Sequence, residues 1–135
     1  MSTRAIYTFK GFGETHHVYK HHDGYPTGAA EAFELAIQNA WGLPRYEPDE
    51  FAAAFVAANK DGPGGVRLAS KRTEYSDVVF GYTIEPDKAI PSLIKLTVHE
   101  TDFWGGAAKQ TRIWSGPLVD FITHGAAQLE QAVYA

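Results

Sequence analysis

The chain contains no cysteine. Disulfide staples, thiolate nucleophiles and cysteine-based zinc sites are excluded with it. No apolar run approaches the roughly 20 residues that a helix needs to cross a bilayer. The opening MSTRAIYTFK lacks the apolar stretch of a secretory signal. These absences predict a protein of a reducing cytoplasm with no membrane partner. Positive charge is in deficit: 12 Lys and Arg face 16 Asp and Glu, for a net charge of −4. That balance argues against capture of extended nucleic acid. Linker-like tracts, internal repeats and low-complexity segments are also missing, so one domain over residues 1–135 is expected.

What the chain does have is apolar and aromatic. Hydrophobic residues make up 44% and aromatics 13%, enough for a core without a staple, since a domain of this size buries roughly two-thirds of its unfolded surface. Residues 4–10 (RAIYTFK) and 15–21 (THHVYKH) read as strands joined through Gly11-Phe12-Gly13-Glu14 in a β-hairpin. Placing Lys10 opposite Glu14 pairs Ile6 with Val18, Tyr7 with His17 and Ala5 with Tyr19, and sets Arg4 beside Lys20. One face then carries Ile6 and Val18, the other Tyr7, Phe9, His17 and Tyr19. Asp23-Gly24-Tyr25-Pro26 is a turn, with Thr27 as helix cap and Ala29, Phe33, Ala36, Ile37 and Ala40 at helical spacing. Gly42 and Pro44 stop that helix. Glu47-Pro48-Asp49-Glu50 starts a second, running to about Asn59 with Phe51, Phe55 and Val56 as its stripe, before the break at 61–65.

Four further strands are read at 66–72, 78–85, 93–100 and 111–114, with short connections that favour antiparallel neighbours. Ser115-Gly116-Pro117 opens a last helix with Leu118, Phe121, Ile122, Leu129 and Val133, which Gly125 should end or bend. The order ββααββββα predicts an α+β domain with a mostly antiparallel sheet covered by helices.

The stretch THHVYKHHDGYP, residues 15–26, concentrates four of the six histidines with Tyr19, Tyr25, Lys20 and Asp23. Imidazoles and phenols are costly to bury without partners and useful for holding a ligand. A metal site built from His16, His17, His21, His22 and Asp23 meets a geometric obstacle. Residues four apart on a strand lie about 13 Å from one another, so His17 and His21 cannot share an ion while the strand stays regular, and only a sharp bend at His21 that folds His22 and Asp23 back would build a site. No metal and no cofactor is expected. A general acid–base site would use His21 with Asp23, with Tyr19 or Tyr25 as proton donors, and His99, Glu100 and Asp102 as a second set. A ligand site for a small anion would use Arg4, His17, Tyr19, Lys20, His21 and Tyr25, the cations meeting charge and the rings stacking on a base. Ser2 as an N-terminal nucleophile would require removal of Met1. Gly62-Pro63-Gly64-Gly65 precedes a strand and lacks the Lys-Ser/Thr pair of a P-loop. Phe103 and Trp104, beside Gly105-Gly106, read as a loop anchor or a lid.

Met1-Ser2-Thr3-Arg4, a hairpin, then Tyr19-Lys20-His21-His22-Asp23-Gly24-Tyr25-Pro26 resembles small, functionally unassigned proteins of bacteriophages and prophages. Those open Met-Ser/Ala-Thr-Arg and carry Tyr-x-His-Trp/Phe-Asp-Gly-Tyr-Pro before a helix. Here His22 replaces the usual aromatic, and the likeness covers about the first thirty residues. Thr3, Arg4, Tyr19, His21, Asp23, Gly24, Tyr25 and Pro26 are the matching positions. Asp23 is expected to close the turn, Gly24 to take positive φ and Pro26 to start the helix. The resemblance implies a phage setting, hence a host-cell cytoplasm, and no particular activity.

The absence of an assembled nucleophile, base and orienter favours binding over turnover. The leading expectation is a phage or mobile-element binding module for a small anionic, nucleotide-like ligand or a host protein, acting as a host-defence inhibitor. A protein partner would be anchored by Trp41, Tyr46, Phe103 and Trp104. The alternatives are a small hydrolase or nucleotide-processing enzyme using His21 and Asp23, and an oligomeric phage structural or accessory subunit.

Overall fold

Aromatic and β-branched residues over 5–9 and 18–19, joined through Gly11-Phe12-Gly13, build the hairpin at the heart of the sheet. The computed structural model describes residues 3–40, 46–75, 77–89, 93–102 and 109–134. Sequence expectations on Met1, Ser2, Trp41, Gly42, Pro44, Ser76, Phe103, Trp104, Gly105 and Gly106 lie outside these residues, as do those on the side chains of Asp102 and Val133. The elements are β1 (Ala5–Gly11), β2 (Glu14–Lys20), α1 (Pro26–Asn39), α2 (Pro48–Asn59), β3 (Val66–Ala69), β4 (Phe80–Pro86), β5 (Ile94–Asp102) and β6 (Lys109–Pro117). A final helical stretch joins α3 (Leu118–Asp120), a π-helical turn (Phe121–Gly125) and α4 (Ala126–Tyr134). The order is the expected ββααββββα, and the sheet runs β3-β2-β1-β4-β5-β6. All pairs are antiparallel except β1 with β4.

The helices lie on one side of the sheet. Ala5, Tyr7, Phe9, Val18, Phe80, Tyr82, Ile84, Leu96 and Val98 point toward them and share a core with Phe33, Phe55 and Phe121. Tyr7 stacks on Tyr82 with ring centroids 5.0 Å apart and planes at 17°. Phe33 and Phe55 meet Tyr7 at 5.4 Å and 4.4 Å, and Phe121 meets Tyr82 at 6.0 Å. On the opposite side Ile6, Tyr19, Ala69 and Val78, with Tyr75 against them, form a small second cluster that includes no helix residue.

The hairpin register differs from the expected one by one residue. Gly11 faces Glu14, so Tyr7 pairs with Val18, Ile6 with Tyr19 and Thr8 with His17. Arg4 therefore does not stand opposite Lys20, whose partner is Ala5. Tyr7, Phe9 and Val18 go to the helix side, and Ile6, His17 and Tyr19 to the other. The cause is the turn. Phe12 and Gly13 both take positive φ, 54° and 80°, as a two-residue type I′ turn requires.

Helix starts follow proline as expected: Pro26 and Pro48 stand in the first positions of α1 and α2. Thr27 does not cap α1 as expected. Its N–H and hydroxyl both donate to Glu130 Oε1, at 2.7 and 2.8 Å, so a carboxylate from α4 occupies the start of α1. Positive φ falls on Asp23 (59°) and not on Gly24. Gly24 is required for space instead, since a Cβ there would stand 2.6 Å from the Ala5 Cβ. Gly125 bends the last helix into its π turn, where a Cβ would press to 2.8 Å from the Trp114 indole. The strand expected over 66–72 ends at Ala69, and the one expected over 111–114 extends over Lys109–Pro117. Tyr46 is buried, its hydroxyl donating to the Ile84 carbonyl at 3.2 Å, and so is not the exposed anchor anticipated.

Two tyrosines of the central pair make opposite predictions. Tyr82 Oη donates to the Gly24 carbonyl at 2.6 Å, whereas Tyr7 Oη is buried with no hydrogen-bond partner among the described residues. Tyr82→Phe should cost about 1–2 kcal/mol in denaturant unfolding, while Tyr7→Phe should be neutral or stabilising. Equal losses from the two would refute this assignment of partners. Replacing Phe12, exposed at 75% and held in the left-handed region, by Asn should raise stability by about 1 kcal/mol. A lower denaturation midpoint for that variant would show the turn to be something other than type I′.

Candidate functional site

The helix-free side of the sheet gathers most of the sequence-predicted site residues. Alternation along β1 and β2 sends Thr8, His17 and Tyr19 there. Pairing across the sheet builds two rows. Arg67, Tyr19, Ile6, Gly81, His99 and Arg112 lie in one. Ala69, His17, Thr8, Thr83, Thr97 and Ser115 lie in the other. The chain between β3 and β4 must cross this side to travel from the sheet edge to its centre, and it does so as a strap. Along the strap Arg72 is near enough for its charge to act on both His17 and His99, Tyr75 stacks on Tyr19 at 4.0 Å, and Asp77 Oδ2 pairs with Arg4 Nε at 2.8 Å.

Two polar groupings result. In the first, the Nδ1 of His21 accepts the Tyr19 hydroxyl at 2.8 Å and, more distantly, Arg4 Nε at 3.4 Å. His22 packs edge-on to the His21 ring. Partial burial, then Arg4 and His22, hold the His21 imidazole below its ordinary range, with Asp77 opposing. Burial and the Asp77 carboxylate push the Tyr19 phenol up. In the second grouping, His17 Nδ1 and Thr8 Oγ1 are hydrogen-bonded at 2.9 Å, and Thr8 is only 4% exposed. Burial, then Arg72 and His16, lower the His17 pKa. Burial, then Arg72 and Arg112, lower that of His99, whose Nδ1 is buried without a hydrogen-bond partner among the described residues. Glycine at position 81 leaves the sheet floor open between Ile6 and His99.

Lys20 and Tyr25 face elsewhere. They line a recess of about 290 Å³ on the helix side with Asp23, Gly28, Glu31, Ala32, Leu35, Asn59 and Asp61. Burial lowers the Lys20 pKa, while Asp23, Asp61 and Glu31 oppose it. The nearby Asp23 carboxylate pushes the Tyr25 phenol up. With three carboxylates around one ammonium, this recess repels anions. Of the anion-site candidates, Arg4, His17, Tyr19 and His21 are thus brought to one face, and Lys20 and Tyr25 are not. No hydrogen bond or ion pair joins His21 to Asp23 among the described residues; Asp23 interacts with Tyr25 and Lys20 instead. No group of three His, Asp or Glu side chains is placed to hold a metal ion among the described residues.

Arg72, Arg112 and Thr8 were not singled out by sequence reasoning. Arg72 sits at the apex of a tight turn closed by Glu74 N–H to the Lys71 carbonyl at 3.2 Å. The Glu74 carboxylate accepts both the Ser70 N–H, at 2.9 Å, and the Ser70 hydroxyl. Those two bonds hold the Glu74 carboxyl below its ordinary range. The Lys71-Arg72 pair flanked by Ser70 and Glu74 was the one local signal available. Charge is divided between the two sides. No described helix carries Lys or Arg, whereas α1, α2, α3 and α4 carry Glu31, Glu34, Asp49, Glu50, Asp120 and Glu130. The helix-free side with its strap holds Arg4, Arg67, Lys71, Arg72, Lys95 and Arg112 against Glu74, Asp77 and Glu85.

The lowered imidazoles fix the sign of the pH response. His17, His21 and His99 titrate below 6.5 in the folded chain and near 6.5 when unfolded. Their contribution is complete above about pH 7. It is lost as pH falls through the folded-state values, because the unfolded chain then binds more protons. The denaturation midpoint should fall between pH 7.5 and 5, and less steeply in His17→Gln and His99→Gln. A midpoint unchanged across that interval would contradict the burial of these rings.

No protein-family model, curated protein or solved structure matches this chain.

Proposed function

We propose that this chain is a binding module for a small phosphate-bearing anion held on the helix-free side of its sheet, under the strap that carries Arg72. The observation that carries the reading is Arg72 itself. Its charge acts on both His17 and His99, lowering the pKa of each, and no ion pair of Arg72 is found among the described residues. A guanidinium at a turn apex, over imidazole and hydroxyl groups and unmatched by an acid, is suited to a bidentate anion. Three strand spacings separate β2 from β5 and His99 lies one row over from His17, so the two stand about 16 Å apart. The Arg72 charge acts on both, and a ligand that also touched both rings would be longer than one phosphate. Partly buried imidazoles with lowered pKa contribute hydrogen bonds at neutral pH and gain charge as the medium becomes acidic.

The partition of charge supports the same reading. A net charge of −4 is no obstacle when the carboxylates of the helices face away from the site. The likeness of the first thirty residues to phage and prophage proteins supplies the setting we assign, an accessory protein of a mobile element working by sequestration. Turnover through His21 and Asp23 has less support, since each is engaged with other partners.

Titration calorimetry with inorganic phosphate and pyrophosphate at low salt tests the proposal. Binding is expected, stronger at pH 6 than at pH 8 because an anion favours the protonated imidazoles. Arg72→Gln should weaken it by about tenfold or more, the worth of a charged hydrogen bond. No heat with either anion at millimolar concentration, or equal affinity in Arg72→Gln, would reject it.

A further inference from the structure

We infer that the strap supplies a second recognition element, the ring of Tyr75, and that the ligand of this face is a nucleoside phosphate with its base stacked on that ring. The inference rests on the anion-binding reading above and adds what lies beyond the phosphate. Tyr75 lies flat on Tyr19, with centroids 4.0 Å apart and planes at 19°. The ring beneath is itself fixed, since the Tyr19 hydroxyl is bonded to His21 Nδ1 at 2.8 Å. Tyr75 is only partly buried, and Tyr19 is its one ring partner among the described residues. Its outer face therefore extends a stack already begun and is free of other rings.

The strap around Tyr75 is held before any ligand arrives. On one side Glu74 closes its turn onto Ser70 and Lys71. On the other, Asp77 pairs with Arg4 at 2.8 Å. Arg72 and Tyr75 are three residues apart within this fixed segment, and the strand below repeats their spacing. His17, on which the Arg72 charge acts, and Tyr19, which carries Tyr75, are two residues apart on β2 and share a face. They are separated by about 7 Å along the strand, a gap that one ribose spans. Phosphate at Arg72 and a base on Tyr75 thus fit a single mononucleotide. A ring-on-ring shelf selects for ring area, so purines should bind more tightly than pyrimidines.

The experiment compares AMP, ribose 5-phosphate and inorganic phosphate by titration calorimetry on the whole chain. AMP is expected to bind at least about fivefold more tightly than ribose 5-phosphate, the lower end of what one stacked base contributes. Tyr75→Phe should keep that preference. Tyr75→Leu should abolish it, AMP and ribose 5-phosphate then binding equally. Equal affinities for AMP and ribose 5-phosphate would overturn the shelf and leave the phosphate site standing. An AMP preference that survives in Tyr75→Leu would place the base elsewhere and also overturn it. Failure of all three compounds to bind would remove the underlying reading as well. Should Tyr75→Leu not fold, the wild-type comparison and Tyr75→Phe still decide the matter.

Discussion

The stack of Tyr7 on Tyr82 is the contact on which the rest of the molecule is arranged. It joins β1 to β4, the one parallel pair, at the middle of the sheet. Phe33 of α1, Phe55 of α2 and Phe121 of the π turn all converge on it. The Tyr82 hydroxyl then ties down the Gly24 carbonyl, so the turn that launches α1 is anchored to the same ring. Aromatic pairs in such offset and edge-on arrangements contribute about 0.5–1.5 kcal/mol each beyond their buried area. Here each ring serves several pairs at once. The unpartnered Tyr7 hydroxyl is the cost of placing a phenol where the geometry asks for a flat ring.

Because all helices converge on that pair from one side, the other side of the sheet is left to polar side chains and a single crossing segment. Parallel pairing of β1 with β4 obliges the chain to travel from the β3 edge back to the centre. With no helix on that route, the crossing residues Tyr75 and Val78 pack over Tyr19 and Ile6. The second cluster under Tyr75 is small, so the strap is fixed chiefly by one stack, one ion pair and one carboxylate-closed turn. The candidate site is thus a by-product of topology: the same crossover that satisfies the sheet delivers Arg72 to the imidazoles.

Much of the architecture was legible locally. Proline at positions 26 and 48, the glycine-rich break at 62–65 and the alternation of β1, β2, β4 and β5 each carry their own chemistry. The hairpin register was not, because Gly11 and Gly13 each offer a pivot and the structure uses Phe12 at a φ that a bulky residue seldom takes. Gly24 looked like a residue needing backbone freedom, yet its requirement is room beside Ala5, a tertiary fact. The candidate site was legible in half. His17, Tyr19, His21 and Arg4 stood out by type and spacing. Arg72 did not, and His99 stood out only as part of a second acid–base set with Glu100 and Asp102, since its place relative to the hairpin depends on strand order across four strands, which no local pattern encodes. Lys20 was misplaced by the one-residue register error, which moves a side chain to the opposite face of the sheet.

The lack of any Lys or Arg on the described helices has a consequence for how the molecule meets its surroundings. Carboxylates behind the sheet and guanidinium groups before it make a permanent electric dipole along the sheet normal. Bulk mobility follows the net charge, but beyond about a Debye length, roughly 8 Å at physiological ionic strength, an approaching charge barely feels it. Within that distance the dipole orients the encounter. A negatively charged body would be met sheet-first, by a protein whose overall charge has the same sign as its target.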